Sequence, residues 1–203
     1  YYYANNLKNV PLGLFGGAIA TAVFPGLIRA AKSNDKSKLP ESIVKNVRII
    51  SFLVIPATAI AIVLRGYIVR LLFGFGDQTT ADTLGWLAGT ILAQSVFFLI
   101  ARVFYALEDT KTPLFTSLAS IVINVFFSFV LSAKYGVSGL AMSLSIAAVF
   151  ELVFLLIMLR RKIGPYGLKS ITLHAIKTGL ASMIMAAVMY AMVRYVYPIR
   201  LAD

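Results

Sequence analysis

Six apolar runs lie along the chain, separated by short polar stretches. They extend from about Val10 to Ile28, Ile49 to Leu64, Thr83 to Ala106, Pro113 to Ala133, Val137 to Leu159 and Ser170 to Val193. A helix needs about 20 apolar residues to cross a hydrocarbon core of about 30 Å. The pattern therefore predicts an all-α fold: a polytopic membrane helix bundle of about six transmembrane helices in a single membrane domain over residues 1–203. The junction between the third and fourth runs shows the logic. RVFYALEDTKTP, Arg102 to Pro113, carries four charges, whereas Thr83–Ala101 before it and Thr112–Ala133 after it carry none. A charged knot between two uncharged walls reads as a membrane-surface loop. Within it, Thr112 followed by Pro113 has the form of a cap residue and a proline in the first helical turn, where the missing N–H costs nothing.

Periodicity inside the runs separates packing faces from polar ones. In the first run Gly13, Gly17, Thr21 and Pro25 recur every four residues. That stripe of small residues predicts a seam for close helix approach. Pro25 and Pro56 lie inside their runs and are expected to kink or interrupt them. In the fourth run Ser117, Ser120, Asn124, Ser128 and Ser132 share one helical face. Lipid penalises such a face, so it should look into the bundle or a wet cavity; interhelical hydrogen bonding is the plainer alternative. Asn124 is the sharpest member, because no local backbone bond easily satisfies an amide in mid-span. Glu151 lies nine residues before Arg160, about 13 Å along a helix. An acid at that depth is a functional candidate, or else half of a structural ion pair with Lys177. His174 and Lys177 lie on the first turns of the sixth run and are expected to snorkel to the interface.

Composition supports the membrane reading. Charged residues make up 13% of the chain, hydrophobic residues 60%, and mean hydropathy is +0.86; a soluble domain has about 25% charge. The net charge of +11 would suggest a nucleic-acid partner in a soluble protein. Here the basic residues cluster at the ends of apolar runs, where they face lipid headgroups, so no nucleic acid is expected. Counting Lys and Arg in alternate loops puts 12 on the side holding the Arg102–Pro113 knot and 6 on the other, with Lys177 inside the last run. The positive-inside rule makes the first side cytoplasmic and the start of the chain extracellular. Trp86, Tyr190, Tyr195 and Tyr197 then fall at the outer interface, with Tyr105 and Tyr166 at the inner one. With no cysteine and a single histidine, neither a disulfide nor a His-cluster metal site can be built. GFGD at 74–77 lacks the context of a phosphate loop, and no catalytic constellation is present. The chain opens YYYANN, without an initiator Met or signal peptide, and reads as an internal piece of a longer protein.

RVFYALEDTKTP (102–113) resembles the signature loop of the MurJ/MviN lipid II flippases, within the superfamily of multidrug, oligosaccharidyl-lipid and polysaccharide exporters. YYYANNLKNVPLGLFGGAIATAVFPGLIRA (1–30), SIVINVFFSFVL (120–131) and YGVSGLAMSLSIAAVFELVFLLIMLRRKIG (135–164) resemble the same family, so the similarity covers nearly the whole chain. It implies two helical lobes around a central cavity, with the six runs matching the eighth to thirteenth of fourteen helices and the first lobe and last helix missing. The family's Tyr-Tyr-Ala-Asp-Arg-Leu motif, whose arginine faces the cavity, reads Tyr2-Tyr3-Ala4-Asn5-Asn6-Leu7 here, with Asn6 in the arginine's place. Some members hold sodium with an asparagine and an aspartate four residues on; Asn124 matches the first and Ser128 replaces the second.

The function this implies is export of a polyprenyl-diphosphate-linked peptidoglycan precursor from inner to outer leaflet of the bacterial cytoplasmic membrane, by alternating access. Alternatives are a related exporter of lipid-linked O-antigen or capsular oligosaccharide, or of drugs, and a non-transporting scaffold. Substrate-contacting candidates are Asn6, Asn124, Ser128 and Glu151. Arg102, Asp109, Lys111 and Pro113 form the loop motif. Expected partners are the anionic lipid-linked precursor, membrane lipids and the missing N-terminal lobe. The chain is not expected to be an enzyme or to carry a cofactor, and coupling to sodium (near Asn124 and Ser128) or to protons is left open.

Overall fold

The computed structural model describes residues 2–35, 37–73 and 78–196, and all regular structure among them is helical. The first apolar run becomes α1 (Tyr2–Pro11), a π-helical stretch (Leu12–Gly17) and α2 (Ala18–Ala31). The second becomes α3 (Lys38–Val63), followed by α4 (Arg65–Phe73), a short helix the hydropathy pattern does not announce. Then come α5 (Gln78–Ala106), α6 (Lys111–Tyr135), α7 (Val137–Ile163) and α8 (Leu168–Val196). Six stretches are long and apolar enough to cross a membrane, and each matches one of the six runs read from the sequence, the second ending one residue short of Leu64.

The turns follow from local chemistry. α5 ends in a Schellman motif: Asp109 N–H donates to Phe104 O at 2.9 Å and Glu108 N–H to Tyr105 O at 3.1 Å, with Glu108 in the left-handed region at φ 59°. Two residues on, α6 begins, its first turn held by the Asp109 carboxylate. Oδ1 accepts the Thr112 N–H at 3.0 Å and Oδ2 the Thr112 hydroxyl at 2.9 Å. Thr112 is therefore the capped residue rather than the cap; Pro113 is the third residue of the helix, where its absent N–H is still harmless. Gly136, at φ 57°, reverses the chain between α6 and α7, and Gly139 allows the two backbones to meet just beyond the turn.

α5 is the central post. It packs against α1, α2, α3, α4 and α7, and 67% of its most apolar stretch is buried, against 11% for α6. The larger core forms where Leu27, Ile50, Ile91, Leu99, Phe104 and Leu155 converge from α2, α3, α5 and α7. α6 rests mainly on α7, and α8 mainly on α3. The outward face of α6, including Phe115, Val122, Phe126 and Phe129, is exposed. A contiguous apolar face of that kind suits lipid contact.

Three expectations change. Neither Pro25 nor Pro56 interrupts its helix; the irregularity in the first run follows Pro11 instead, as a π-helical stretch. Among the described residues the Gly13–Gly17 stripe is not a packed seam, since nothing lies within 4 Å of a Cβ built at either glycine. The glycine that does pack is Gly16, whose Cβ position is 2.8 Å from Ser95 Oγ. Tyr166 is a core residue, 2% exposed, donating to Leu156 O at 3.1 Å, and not an interfacial aromatic. Burial pushes its phenol up to about 12. Trp86, Tyr105, Tyr190 and Tyr195 are exposed as expected, whereas Tyr197 and the GFGD stretch lie outside the described residues.

Candidate functional site: the polar cleft between α5, α6 and α7

The polar stripe of α6 turns toward α7. There Ser143, Ala147 and Glu151 recur every four residues and present two small side chains and one acid to it. Ser117 Oγ donates to Glu151 Oε1 at 2.7 Å, and Ser120 Oγ to Ala147 O at 3.1 Å. One turn further, Asn124 Nδ2 reaches Ser143 Oγ at 3.5 Å, the outer limit of a hydrogen bond, and Ser128 Oγ lies 2.7 Å from the same atom. Ser143 sends its own proton to Leu140 O at 2.8 Å, so its oxygen accepts from Ser128. Four of the five stripe residues thus bond across to α7. The plain alternative, interhelical hydrogen bonding, describes much of the face.

It does not describe all of it. A cleft of about 210 Å³ opens beside these bonds, lined by Gln94 of α5, Ser117, Asn124 and Glu151 among others. The structure therefore brings Asn124, Ser128 and Glu151 into one seam and adds Gln94, which the sequence reading passed over. Its signal was present: Gln94 is a lone amide inside the uncharged Thr83–Ala101 wall. Glu151 faces Ser117 and not Lys177, which is exposed on α8. A half-buried carboxylate with one serine donor is an acceptor with capacity to spare, and Gln94 and Asn124 add amide donors and acceptors. Chemically the cleft can bind a polar or cationic group by hydrogen bonds.

Sodium fits poorly. No group of three or more His, Cys, Asp or Glu that could hold a metal occurs among the described residues. Around Asn124 and Ser128 the nearest partner is the neutral hydroxyl of Ser143. Glu151 is eight residues along α7 from Ser143, about 12 Å, too far to supply the missing charge.

The other candidates are dispersed. Asn6 is exposed on α1, while its neighbour Lys8, 4% exposed, is buried in the same helix. Nothing in the run's hydropathy singles out Lys8. In the loop motif, Lys162 Nζ meets Asp109 Oδ2 at 2.5 Å, tying the start of α6 to the end of α7. The Lys162 ammonium, with the Thr112 hydrogen bonds, holds the Asp109 carboxyl at about 2. Lys111 is exposed and Pro113 buried in the first turn of α6. Arg102 does not reach for the headgroups: Nη2 donates to Thr21 Oγ1 of α2 at 2.8 Å, and the guanidinium lies 5.7 Å from the Phe24 ring centroid. His174 does not snorkel either, for its Nε2 is buried without a hydrogen-bond partner.

The family model described as lipid II flippase MurJ matches residues 1–200. A probable lipid II flippase MurJ of Vibrio cholerae is 30% identical over 161 residues, covering 76% of this chain and 30% of that protein. Its counterpart in Thermotoga maritima is 28% identical over 191 residues, 91% of this chain and 38% of that one. Among solved structures, a lipid II flippase MurJ in an inward closed conformation superposes with a TM-score of 0.69 at 20% identity, covering 98% of this chain and 47% of that one. The chain spans about a third of the length of these curated relatives.

Proposed function

The chain belongs to the lipid II flippase MurJ family, and from that premise we propose that it forms most of one lobe of a two-lobe exporter. The exporter moves a polyprenyl-diphosphate-linked peptidoglycan precursor from the inner to the outer leaflet of the cytoplasmic membrane. The observation that carries this reading is the family match across residues 1–200. The physical features agree with it. Of six membrane-length helices, three line a polar cleft at Gln94, Asn124 and Glu151 that lipid packing alone does not require. In transporters built from repeats, substrate sits between the halves and access alternates as one half rocks against the other. The cleft between α6 and α7 then belongs to one wall of the path. The 12-to-6 distribution of basic residues supports a cytoplasmic Arg102–Pro113 loop and an extracellular Tyr2.

The test uses the full-length parent in a host depleted of its own flippase. Wild type restores growth, Asn124→Leu reduces precursor export, and the lipid-facing Phe129→Leu leaves it unchanged. Residues 1–203 alone give no rescue. Growth rescue by residues 1–203 would refute the two-lobe mechanism, and full export by Asn124→Leu would remove the cleft from it. A Glu108→Cys variant should resist an impermeant thiol reagent in intact cells; ready labelling reverses the orientation.

A further inference from the structure

The π-helical stretch between α1 and α2 is built as a joint. Pro11, at its upstream edge, has no N–H to return to the Leu7 carbonyl, and its ring crowds that carbonyl, so the α-helical ladder stops there. The chain resumes in a wider turn over Leu12–Gly17, closed by the Ala18 N–H reaching back five residues to Gly13 O. Three of its six residues, Gly13, Gly16 and Gly17, carry no side chain to hold one backbone conformation against another. Single π-helical turns inside α-helices are rare and frequently mark functional positions.

The two halves of this first span are held unequally. After the joint, α2 is fixed to its neighbours: Ala20 and Leu27 are fully buried, and Thr21 accepts a hydrogen bond from Arg102 of α5 at 2.8 Å. Before it, α1 gives the small outer cluster one fully buried apolar residue, Ala4, with Leu7 partly buried beside it. Within the joint Gly16 lies against Ser95 of α5, where a Cβ would stand 2.8 Å from Ser95 Oγ and 3.0 Å from Ser95 Cα. The Ser95 hydroxyl is fully buried and has no hydrogen-bond partner, not even a carbonyl of its own helix, where serines commonly bond. Residues 1–203 themselves enclose it, so no other segment reaches it with these helices in place. A buried donor without an acceptor is unfavourable, and the backbone of the joint is the nearest source of one.

We propose that Leu12–Gly17 is a register switch that turns α1 about its own axis during transport, with Ser95 as its catch. A π-helical turn holds one residue more than an α-helical one, and giving that residue back rotates α1 by roughly the 100° one residue subtends, while the anchored α2 stays in place. The face of α1 now buried, with Ala4 and Lys8, is then replaced by the next one round, with Asn5 and Asn9. In the same step the turn bearing Gly16 presents a backbone carbonyl to the Ser95 hydroxyl, which stabilises the second register. The switch rests on the export reading and adds to it a motion inside this lobe, separate from the rocking of one lobe against the other.

The test reads the motion directly. The full-length parent, free of cysteine outside the labels, carries nitroxides at Tyr2→Cys on α1 and Trp86→Cys on α5, both exposed positions. Double electron–electron resonance in nanodiscs measures their separation, with and without a polyprenyl-diphosphate-linked disaccharide pentapeptide. The labelled parent should show two separations. Ser95→Ala removes the catch and should deplete the second population roughly three- to tenfold, the worth of one neutral hydrogen bond. Pro11→Ala restores the missing N–H and should enrich it. In the unlabelled parent both variants should slow precursor export without loss of stability in SDS titration, because Ser95→Ala deletes an unpaired buried group and Pro11→Ala a helix breaker. A single separation under both conditions overturns the switch, and so does a distribution that neither variant moves. Loss of stability in Ser95→Ala also overturns it, since the serine would then be a packing contact. Two separations in a parent that moves no precursor would sink the export reading and leave the switch standing.

Discussion

Replacing Gly139 with alanine should pry apart the helices that form the cleft. A Cβ at that position would lie 2.3 Å from Leu131 O, 2.5 Å from Leu131 C and 2.8 Å from Ser132 N, all backbone atoms of α6 that no rotamer change can move. Ordinary contact begins near 3.5 Å, so α6 and α7 must separate locally by about 1 Å. The Ser128–Ser143 hydrogen bond, now 2.7 Å, would stretch to about 3.7 Å, beyond useful range, and the marginal Asn124–Ser143 contact would be lost. Overpacking of this kind costs about 1–3 kcal/mol, and each lost interhelical bond adds roughly 0.6 kcal/mol. Alanine's helix preference returns up to about 1 kcal/mol. The net expectation is about 1–3 kcal/mol of destabilisation, roughly a 5- to 150-fold shift in the folding equilibrium. SDS titration of the full-length parent in bicelles, followed by circular dichroism, measures this. Gly179→Ala is the control: it lies inside α8 with nothing within 4 Å, and should be neutral or slightly stabilising. If the two variants unfold alike, the close approach at Gly139 does not hold α6 against α7.

Glu108 occupies the left-handed position of the α5 Schellman motif and is exposed, so Glu108→Gly should raise stability by up to about 1 kcal/mol in the same titration; Glu108→Ala should not. Asp109 has a lowered folded-state value, about 2 against an ordinary 3.8, owing first to Lys162. Its contribution is therefore complete above the ordinary carboxylate range and disappears as pH falls from about 4 through 2. Asp109→Asn should remove that acid limb from the thermal unfolding profile of the purified protein; an unchanged limb would mean that other carboxylates produce it.

The six spans were legible because each is a long unbroken run, and bilayer thickness leaves such a run one economical conformation. The polar stripe of α6 was equally legible, since Ser117, Asn124 and Ser128 repeat at helical spacing and only one face of a helix can gather them. What the chain concealed is partnership. Glu151 could be placed at a depth but not against Ser117, because which helix lies opposite depends on packing across 34 residues of sequence. Gln94 was hidden as a single polar residue without a period. Arg102 was assigned to the membrane surface by the general habit of basic residues, and it departs from that habit through contacts with Thr21 and Phe24 that only the assembled bundle creates. The stripe of Gly13 and Gly17 misled for a related reason: small residues permit close approach without requiring it, and here the adjacent Gly16 is the one that meets α5.

The central position of α5 also constrains how the protein is made. A chain entering the membrane from its N-terminal end delivers α1, α2 and α3 before α5, and these can receive one side of it as it arrives. Its remaining partner, α7, starts 31 residues after α5 ends, with all of α6 still to be threaded between them. Until then the side of α5 that will meet α7 must face lipid or the insertion machinery, polar positions included; the Trp86 carbonyl, for one, later accepts the Ser145 hydroxyl of α7 at 2.8 Å. Ribosome pausing between α5 and α7 would prolong that unshielded interval.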